Sequence, residues 1–126
     1  MSRFYLGIFI LLSVLILGLW VSHTLDDIHI EISGILETAA ESALSGDLEN
    51  ANTLAQTAKS KWETSWHGTA AAADHEPMDE IDGLLAQLDC FARAGNISDF
   101  AACCTRCSLL VQAVSEAHSF TWWNLL

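Results

Sequence analysis

Proline, basic residues and recognisable catalytic motifs are scarce in this chain. It has one proline and seven glycines in 126 residues, a composition that argues against a β-sandwich and against a disordered linker. It has five lysines and arginines against 16 acidic residues, which excludes nucleic acid as a partner because phosphate binding needs clustered basic side chains. The sequence also lacks a His-Glu-x-x-His motif, a nucleophile elbow and a glycine-rich phosphate loop. We therefore expect no catalysis and no cofactor.

What the chain does contain is a long apolar run followed by an acidic remainder. The mean hydropathy is +0.32 although the pI is near 4.5, which indicates two parts in different solvents. Residues 4–21 carry no charge and are numerous enough to span a membrane. Cleavage by signal peptidase after Ser22 would leave Trp20 at the −3 position of the cleavage site, where a small side chain is preferred. We therefore predict an uncleaved transmembrane signal anchor.

The flanks of the run predict its orientation. Arg3 precedes it, whereas several acidic residues and no lysine or arginine follow it before Lys59. Under the positive-inside rule this difference places the N-terminus in the cytoplasm. Because the run begins at Phe4, we expect no cytoplasmic output domain. The predicted parts are a cytoplasmic N-terminus with the transmembrane anchor, residues 1–22, and an extracytoplasmic helical bundle domain at the cell membrane, residues 23–126.

Apolar residues in the remainder recur at helical spacing in four stretches. Gly46-Asp47 separates the first two stretches and Gly95-Asn96 the last two. In each turn the glycine suits the end of one helix and the polar residue suits the cap of the next, and the two turns form a faint internal repeat. Four helices with short connections predict an all-α fold, in which an N-terminal transmembrane helix precedes an antiparallel four-helix bundle of two hairpins.

The predicted topology brings all five tryptophans to the membrane-facing end of the bundle. The first and third helices lead away from the membrane, and the second and fourth return to it. Indole rings favour the membrane–water interface, so we expect the aromatic residues at this end to contact lipid headgroups or a membrane partner. An ordinary core position is the alternative for Trp62 and Trp66, which are four residues apart on an apolar stripe. The predicted interface residues are Trp20, Trp62, Trp66, Phe120, Trp122 and Trp123.

Four cysteines carry the sharpest chemical hypothesis. Cys104 and Cys107 form a Cys-x-x-Cys pair with Arg106 between them, and a basic neighbour lowers a thiol pKa. The pair lies inside the predicted fourth helix, however, whereas redox pairs sit at a helix N-terminus, where the dipole favours the thiolate. Cys103 and Cys107 fall on the apolar stripe, which suits small core residues, and a disulfide between Cys90 and Cys103 would cross the second hairpin. Core packing, a structural disulfide and a redox or metal site stay open for these cysteines.

An acidic segment lies at the predicted start of the third helix. Asp74, His75, Glu76 and Asp79 gather carboxylates beside one imidazole, and oxygen ligands of this kind hold divalent cations. The segment lacks the glycine and the spacing of an EF-hand loop, and an acidic first turn complements the helix dipole without any ligand. We therefore predict no metal site and keep these four residues as its candidates.

Several short motifs accompany the N-terminal anchor and the closing helix. They are Gly46-Asp47-Leu48-Glu49-Asn50-Ala51, Lys61-Trp62-Glu63, Asp74-His75-Glu76, Ile81-Asp82 and Gly95-Asn96. With them, nearly the whole chain resembles a family of short bacterial membrane proteins described as domain of unknown function 4363. The alanine run at 70–73 and the cysteines of the fourth helix depart from the family's pattern. The resemblance implies a membrane-tethered helical domain with no assigned activity and no catalytic residue.

Together these features favour an accessory protein that is anchored in the membrane, binds a neighbouring integral membrane protein and catalyses nothing. Its expected partners are the lipid bilayer and that membrane protein. One alternative is an extracytoplasmic domain that binds a cation or a small ligand. Another is a thiol-redox protein that uses Cys104 and Cys107.

Overall fold

The computed structural model consists of four helices in the residues it describes. Its backbone description covers residues 1–69 and 75–124, and side chains are described there except at 21–22, 24–26, 66–69, 75 and 117–124. The helices are α1 (Ser2–Leu44), α2 (Leu48–Thr69), α3 (His75–Arg93) and α4 (Ile97–Asn124). No strand occurs within the described backbone. The predicted all-α class is confirmed.

Helix α1 joins the apolar run to the bundle without a break. It has 43 residues, which corresponds to about 65 Å at the usual helical rise. Its first part, Ser2–Trp20, is long and apolar enough to cross a membrane, and none of it is buried. From His29 onward one face of the same helix is buried. The prediction of an N-terminal apolar helix ahead of a helical bundle is confirmed. The domain boundary predicted after residue 22 falls inside α1, which is continuous there. The boundary therefore stays a prediction that rests on the change in amino-acid composition.

A second stretch, Ile97–Glu116 in α4, meets the same criterion of length and composition. It differs from the first because 44% of it is buried inside the structure. Its buried side chains include Phe100, Cys104 and Val111, which belong to the bundle core. Because this stretch packs as a core helix, we treat Ser2–Trp20 as the candidate membrane span.

The turn between α1 and α2 closes the first hairpin with backbone hydrogen bonds. Gly46 has a φ of 92°, and its N–H donates to the carbonyl of Ala43 at 3.0 Å, while the N–H of Asp47 donates to the carbonyl of Ser42 at 3.0 Å. This is the Schellman arrangement, which pairs the last carbonyls of a helix and favours glycine because a Cβ is strained at positive φ. Asp47 Oδ1 then accepts a bond of 3.1 Å from the N–H of Asn50 and caps α2.

The turn between α3 and α4 repeats this chemistry. Gly95 has a φ of 68°, its N–H donates to Ala92 at 3.1 Å, and the N–H of Asn96 donates to Phe91 at 3.0 Å. Asn96 Oδ1 accepts a bond of 3.2 Å from the N–H of Asp99. The faint internal repeat therefore marks two turns of the same kind, as predicted.

The helices pack in the order of an up-down-up-down bundle. Helix α1 packs against α2 and α4, and α3 packs against the same two helices. Lys61 of α2 pairs with Glu31 of α1 at 3.1 Å, and Cys103 of α4 donates to the carbonyl of Leu84 on α3 at 3.3 Å. In both cases residues at similar distances from the intervening turn meet, so neighbouring helices run antiparallel. The predicted antiparallel four-helix bundle is confirmed.

The core combines a few large side chains with many alanines. Trp62, Phe100, Leu36 and Ile81 are each at most 1% exposed and supply much of the buried apolar area. Towards the turn between α1 and α2 many of the buried residues are small, so that the two backbones can approach closely there. These small residues are Ala39, Ala43, Ala51, Ala55 and Ala58.

Candidate functional site

Three polar side chains from three helices meet in the half of the bundle nearer the apolar segment. His29 of α1 is 4% exposed, and its ring centre lies 5.8 Å from that of Trp62 on α2, with 40° between the ring planes. Trp62 is buried, and its Nε1–H donates a bond of 2.8 Å to Asp82 Oδ1 on α3. This bond satisfies the polar group of a buried indole. The contacts connect α1, α2 and α3 across the core.

A second polar group of residues lies in the seam between α1 and α4. The hydroxyl oxygens of Ser33 and Ser108 are 2.8 Å apart, and both residues are buried. Gln112 Nε2 donates to Ser33 Oγ at 2.7 Å and to Glu37 Oε1 at 3.2 Å. Ser108 Oγ lies 3.3 Å from Glu37 Oε1. We call Ser33, Glu37, Ser108 and Gln112 the α1–α4 polar cluster.

The α1–α4 polar cluster favours one register of the first helix against the last. A buried hydroxyl is costly unless it is hydrogen-bonded, and sliding either helix would separate the two serines. This cluster was not predicted from the sequence. A signal was present, because on each helix two polar residues stand four positions apart beside the apolar stripe, Ser33 with Glu37 and Ser108 with Gln112.

The structure separates the aromatic residues that the sequence placed at a membrane interface. Trp20 is 69% exposed at the end of the apolar segment, a position that suits the interface, and its role there stays a prediction. Trp62 is a core residue, because its indole contacts His29 and Asp82 and is 1% exposed. The core interpretation therefore replaces the interface interpretation for Trp62. The remaining predicted interface side chains, those of Trp66, Phe120, Trp122 and Trp123, lie outside the described residues.

The cysteines of α4 lie in the core and not at a reactive surface. Cys103, Cys104 and Cys107 are buried, Cys90 on α3 is exposed, and all four are free thiols. Burial raises the pKa of Cys104 and of Cys107 to about 12 from an ordinary 9.0. Burial also raises the pKa of Cys103, against a smaller lowering by Arg106. Because the thiolate is the reactive form, this environment favours core packing over a redox pair.

The acidic segment at the start of α3 is described in part. Glu76 and Asp79 are exposed at the start of α3, whereas Asp74 and the side chain of His75 lie outside the described residues. Glu76 stands in the first turn, where its charge complements the helix dipole. Among the described residues, no group of three or more His, Cys, Asp or Glu is arranged to hold a metal ion.

The fold defines an antiparallel four-helix bundle protein with an apolar helical extension at its N-terminus. The chain belongs to the family described as domain of unknown function (DUF4363), whose sequence model matches residues 19–125. The match begins at the end of the apolar segment and covers the whole bundle, and it confirms the resemblance drawn from the motifs. Comparison with curated proteins and with solved structures gave no match.

Proposed function

We propose that this protein is a single-pass membrane accessory protein whose helical bundle lies outside the cytoplasm and binds a neighbouring integral membrane protein, without catalysis. The observation that carries the proposal is the continuity of α1. One helix contributes both an exposed apolar segment and a buried face of the bundle. A rigid element would therefore connect the membrane to the water-facing domain.

The apolar segment has the dimensions of a membrane span. Its 19 residues extend for about 28 Å as a helix, close to the roughly 30 Å of a hydrocarbon core. Its large side chains are exposed, among them Phe9 at 69% and Leu11 at 68%. Such a surface is unfavourable in water and favourable in lipid, which supports insertion of this segment.

Insertion would hold the bundle close to the bilayer. His29 is the first described residue of α1 that is buried, and it stands nine positions after Trp20. Nine positions correspond to a rise of about 14 Å along the helix. A bundle at that height meets the outer parts of other membrane proteins, which is why we assign it a membrane partner.

The charges around the apolar segment support the proposed orientation. Arg3 lies before it, while Asp27 and Glu31 lie after it and the first basic residue beyond it is Lys59. The positive-inside rule keeps the basic flank in the cytoplasm. The bundle then lies on the opposite side.

Topology is tested through Cys90, the exposed thiol of the bundle. A membrane-impermeant maleimide added to intact cells should label Cys90, while the buried thiols of α4 should not compete because their pKa values are raised. The Cys90→Ser variant is the control and should abolish labelling. Labelling that requires cell lysis would reverse the proposed orientation, and release of the protein by alkaline carbonate would rule out the span.

Partner binding is tested by photo-crosslinking in native membranes. A photoreactive residue placed at exposed positions on each helix of the bundle should form an adduct with an integral membrane protein. Deletion of residues 120–126 should release a partner that co-purifies with the tagged full chain. If the partner still co-purified with the truncated chain, residues 120–126 would not belong to the interface. If no position formed an adduct with a membrane protein, the proposal would be wrong.

A further inference from the structure

A groove of about 280 Å³ runs along the outside of the seam between α1 and α4. Its lining residues are His29, Ile30, Gln112, Ser115 and Glu116. Gln112 is held in place by the α1–α4 polar cluster, since its amide donates to Ser33 and Glu37. The groove therefore has a wall that is fixed by the packing of the bundle.

The flanks of this groove are apolar and accessible. Ile30 is 66% exposed and Leu109 is 59% exposed. One turn beyond Ile30 stands Gly34, and a Cβ built there would meet nothing within 4 Å. Leu109 precedes Gln112 by three positions and Glu116 by seven, so the three share one stripe of α4. An apolar strip thus runs beside polar groups on both helices.

Apart from the imidazole of His29, the ionisable side chain that lines the groove is a carboxylate. Residues 23–44 of α1 contain no lysine or arginine, and Arg106 is the single lysine or arginine of α4. Arg106 is turned to the other side of α4, where it pairs with Glu80 of α3 at 2.6 Å. Glu116 lines the groove, Glu37 accepts a hydrogen bond from the Gln112 amide beside it, and both carboxylates are exposed. The seam between α1 and α4 is therefore apolar and acidic.

We propose that the groove between α1 and α4 binds a basic amphipathic segment of the membrane partner. The apolar stem of a Lys or Arg side chain would pack on Ile30 and Leu109, and its charged head would reach Glu116 and Glu37. An anionic lipid surface or a second copy of this acidic chain would meet like charge in the same place. The inference rests on the proposed function for the position of the bundle beside the membrane.

The inference is tested with peptide probes on the full-length protein in phosphatidylcholine nanodiscs. The probes are a fluorescent amphipathic helical peptide of leucine and lysine, a scrambled peptide of the same composition, and a leucine–glutamate counterpart. Binding is measured by anisotropy at physiological ionic strength, with empty nanodiscs as the blank. The leucine–lysine peptide should bind more tightly than the other two.

Two matched double variants separate the groove from general charge attraction. The groove variant is Ile30→Ser with Glu116→Gln, and the control is Leu44→Ser with Glu63→Gln, which makes the same chemical changes at exposed positions away from the groove. We expect the groove variant to weaken binding roughly tenfold and the control to stay within about twofold. Equal weakening in both, or equal binding of the scrambled peptide, would overturn the inference.

Further outcomes decide the occupant. The protein could instead associate with itself or with anionic vesicles. If the groove variant abolished such association, the occupant would be a second copy or a lipid surface, and the inference would be overturned. If the groove variant lost helicity by circular dichroism, Gly34→Trp is the second variant, because an added Cβ meets nothing within 4 Å at that position. Its bulky side chain one turn beyond Ile30 should obstruct the groove and weaken peptide binding in the same way. A third outcome is that crosslinks to a membrane protein form from other faces of the bundle and the groove variants do not change peptide binding. That outcome would leave the proposed function in place and reject the groove as the binding site.

Discussion

The hydroxyl groups of Ser33 and Ser108 stand 75 positions apart in the sequence and 2.8 Å apart in the folded chain. They belong to α1 and α4, the first and last helices, so their bond lies where the bundle closes on itself. Gln112 and Glu37 extend the bond into the α1–α4 polar cluster. One wall of the proposed binding groove therefore depends on a pairing between the two ends of the domain.

Removing either hydroxyl should destabilise the bundle by an amount that depends on the other. Ser33→Ala and Ser108→Ala should each lower the free energy of unfolding by about 1 kcal/mol, because the partner keeps a buried polar group with fewer bonds. The double variant should cost less than the sum of the two. A double-mutant cycle by urea unfolding measures this coupling, and strictly additive losses would contradict the proposed pairing.

The indole of Trp62 should matter through its N–H as well as its volume. Trp62→Phe removes the bond to Asp82 and leaves space in the core, so we expect a loss of about 2–3 kcal/mol. Asp82→Asn keeps an oxygen acceptor at the same position and should cost less. Thermal unfolding of both variants gives the comparison. A larger loss for Asp82→Asn would show that its charge, and not the bond to the indole, stabilises the bundle.

Two glycines should respond in opposite directions to the same substitution. Gly34 lies inside α1 with open space around its Cβ position, so Gly34→Ala should stabilise the bundle by about 0.5–1 kcal/mol. Gly46 has a φ of 92°, and Gly46→Ala should destabilise it by about 1–2 kcal/mol because an L side chain is strained there. Urea unfolding of the two variants measures both signs. Destabilisation by Gly34→Ala would contradict the open space around its Cβ position.

Alkaline pH should weaken the bundle through the buried thiols. The pKa of Cys104 and of Cys107 is about 12 in the folded chain against an ordinary 9.0, so over that interval the folded state keeps protons that the unfolded state loses. The stabilisation from these thiols is fully present below the unfolded pKa and falls as pH rises towards the folded one. We expect the free energy of unfolding to decrease between about pH 9, the ordinary thiol pKa, and about pH 12, the folded one, by this linkage.

The control for the alkaline effect is the exposed thiol. The Cys104→Ala and Cys107→Ala double variant should lose less stability over the same pH interval, whereas Cys90→Ala should lose as much as the parent chain. The quantity compared is the slope of the free energy of unfolding against pH. A loss of stability from the core substitutions that is the same at every pH does not change this slope. Equal slopes in the two variants would show that other groups cause the effect.

Much of the fold follows from the sequence because its signals are local. The apolar stripes predict each helix, and the pairs Gly46-Asp47 and Gly95-Asn96 predict both hairpin turns, since a left-handed glycine and a capping oxygen act on backbone groups a few residues away. The absence of charge in residues 4–21 likewise identifies an apolar helix. These features need no knowledge of which helix faces which.

The side-chain environments required the tertiary structure, because they depend on residues distant in sequence. An aromatic on an apolar stripe suits a core and an interface equally well, and the position of Trp62 is decided by His29 on α1 and Asp82 on α3. The Cys-x-x-Cys pair has a basic neighbour in the sequence, yet burial in the folded chain raises the pKa of both thiols. The sequence alone thus determined an acidic helical hairpin pair behind an apolar segment. The packing of α1 against α4 decided the polar cluster and the groove, since only folding brings Ser33 to Ser108.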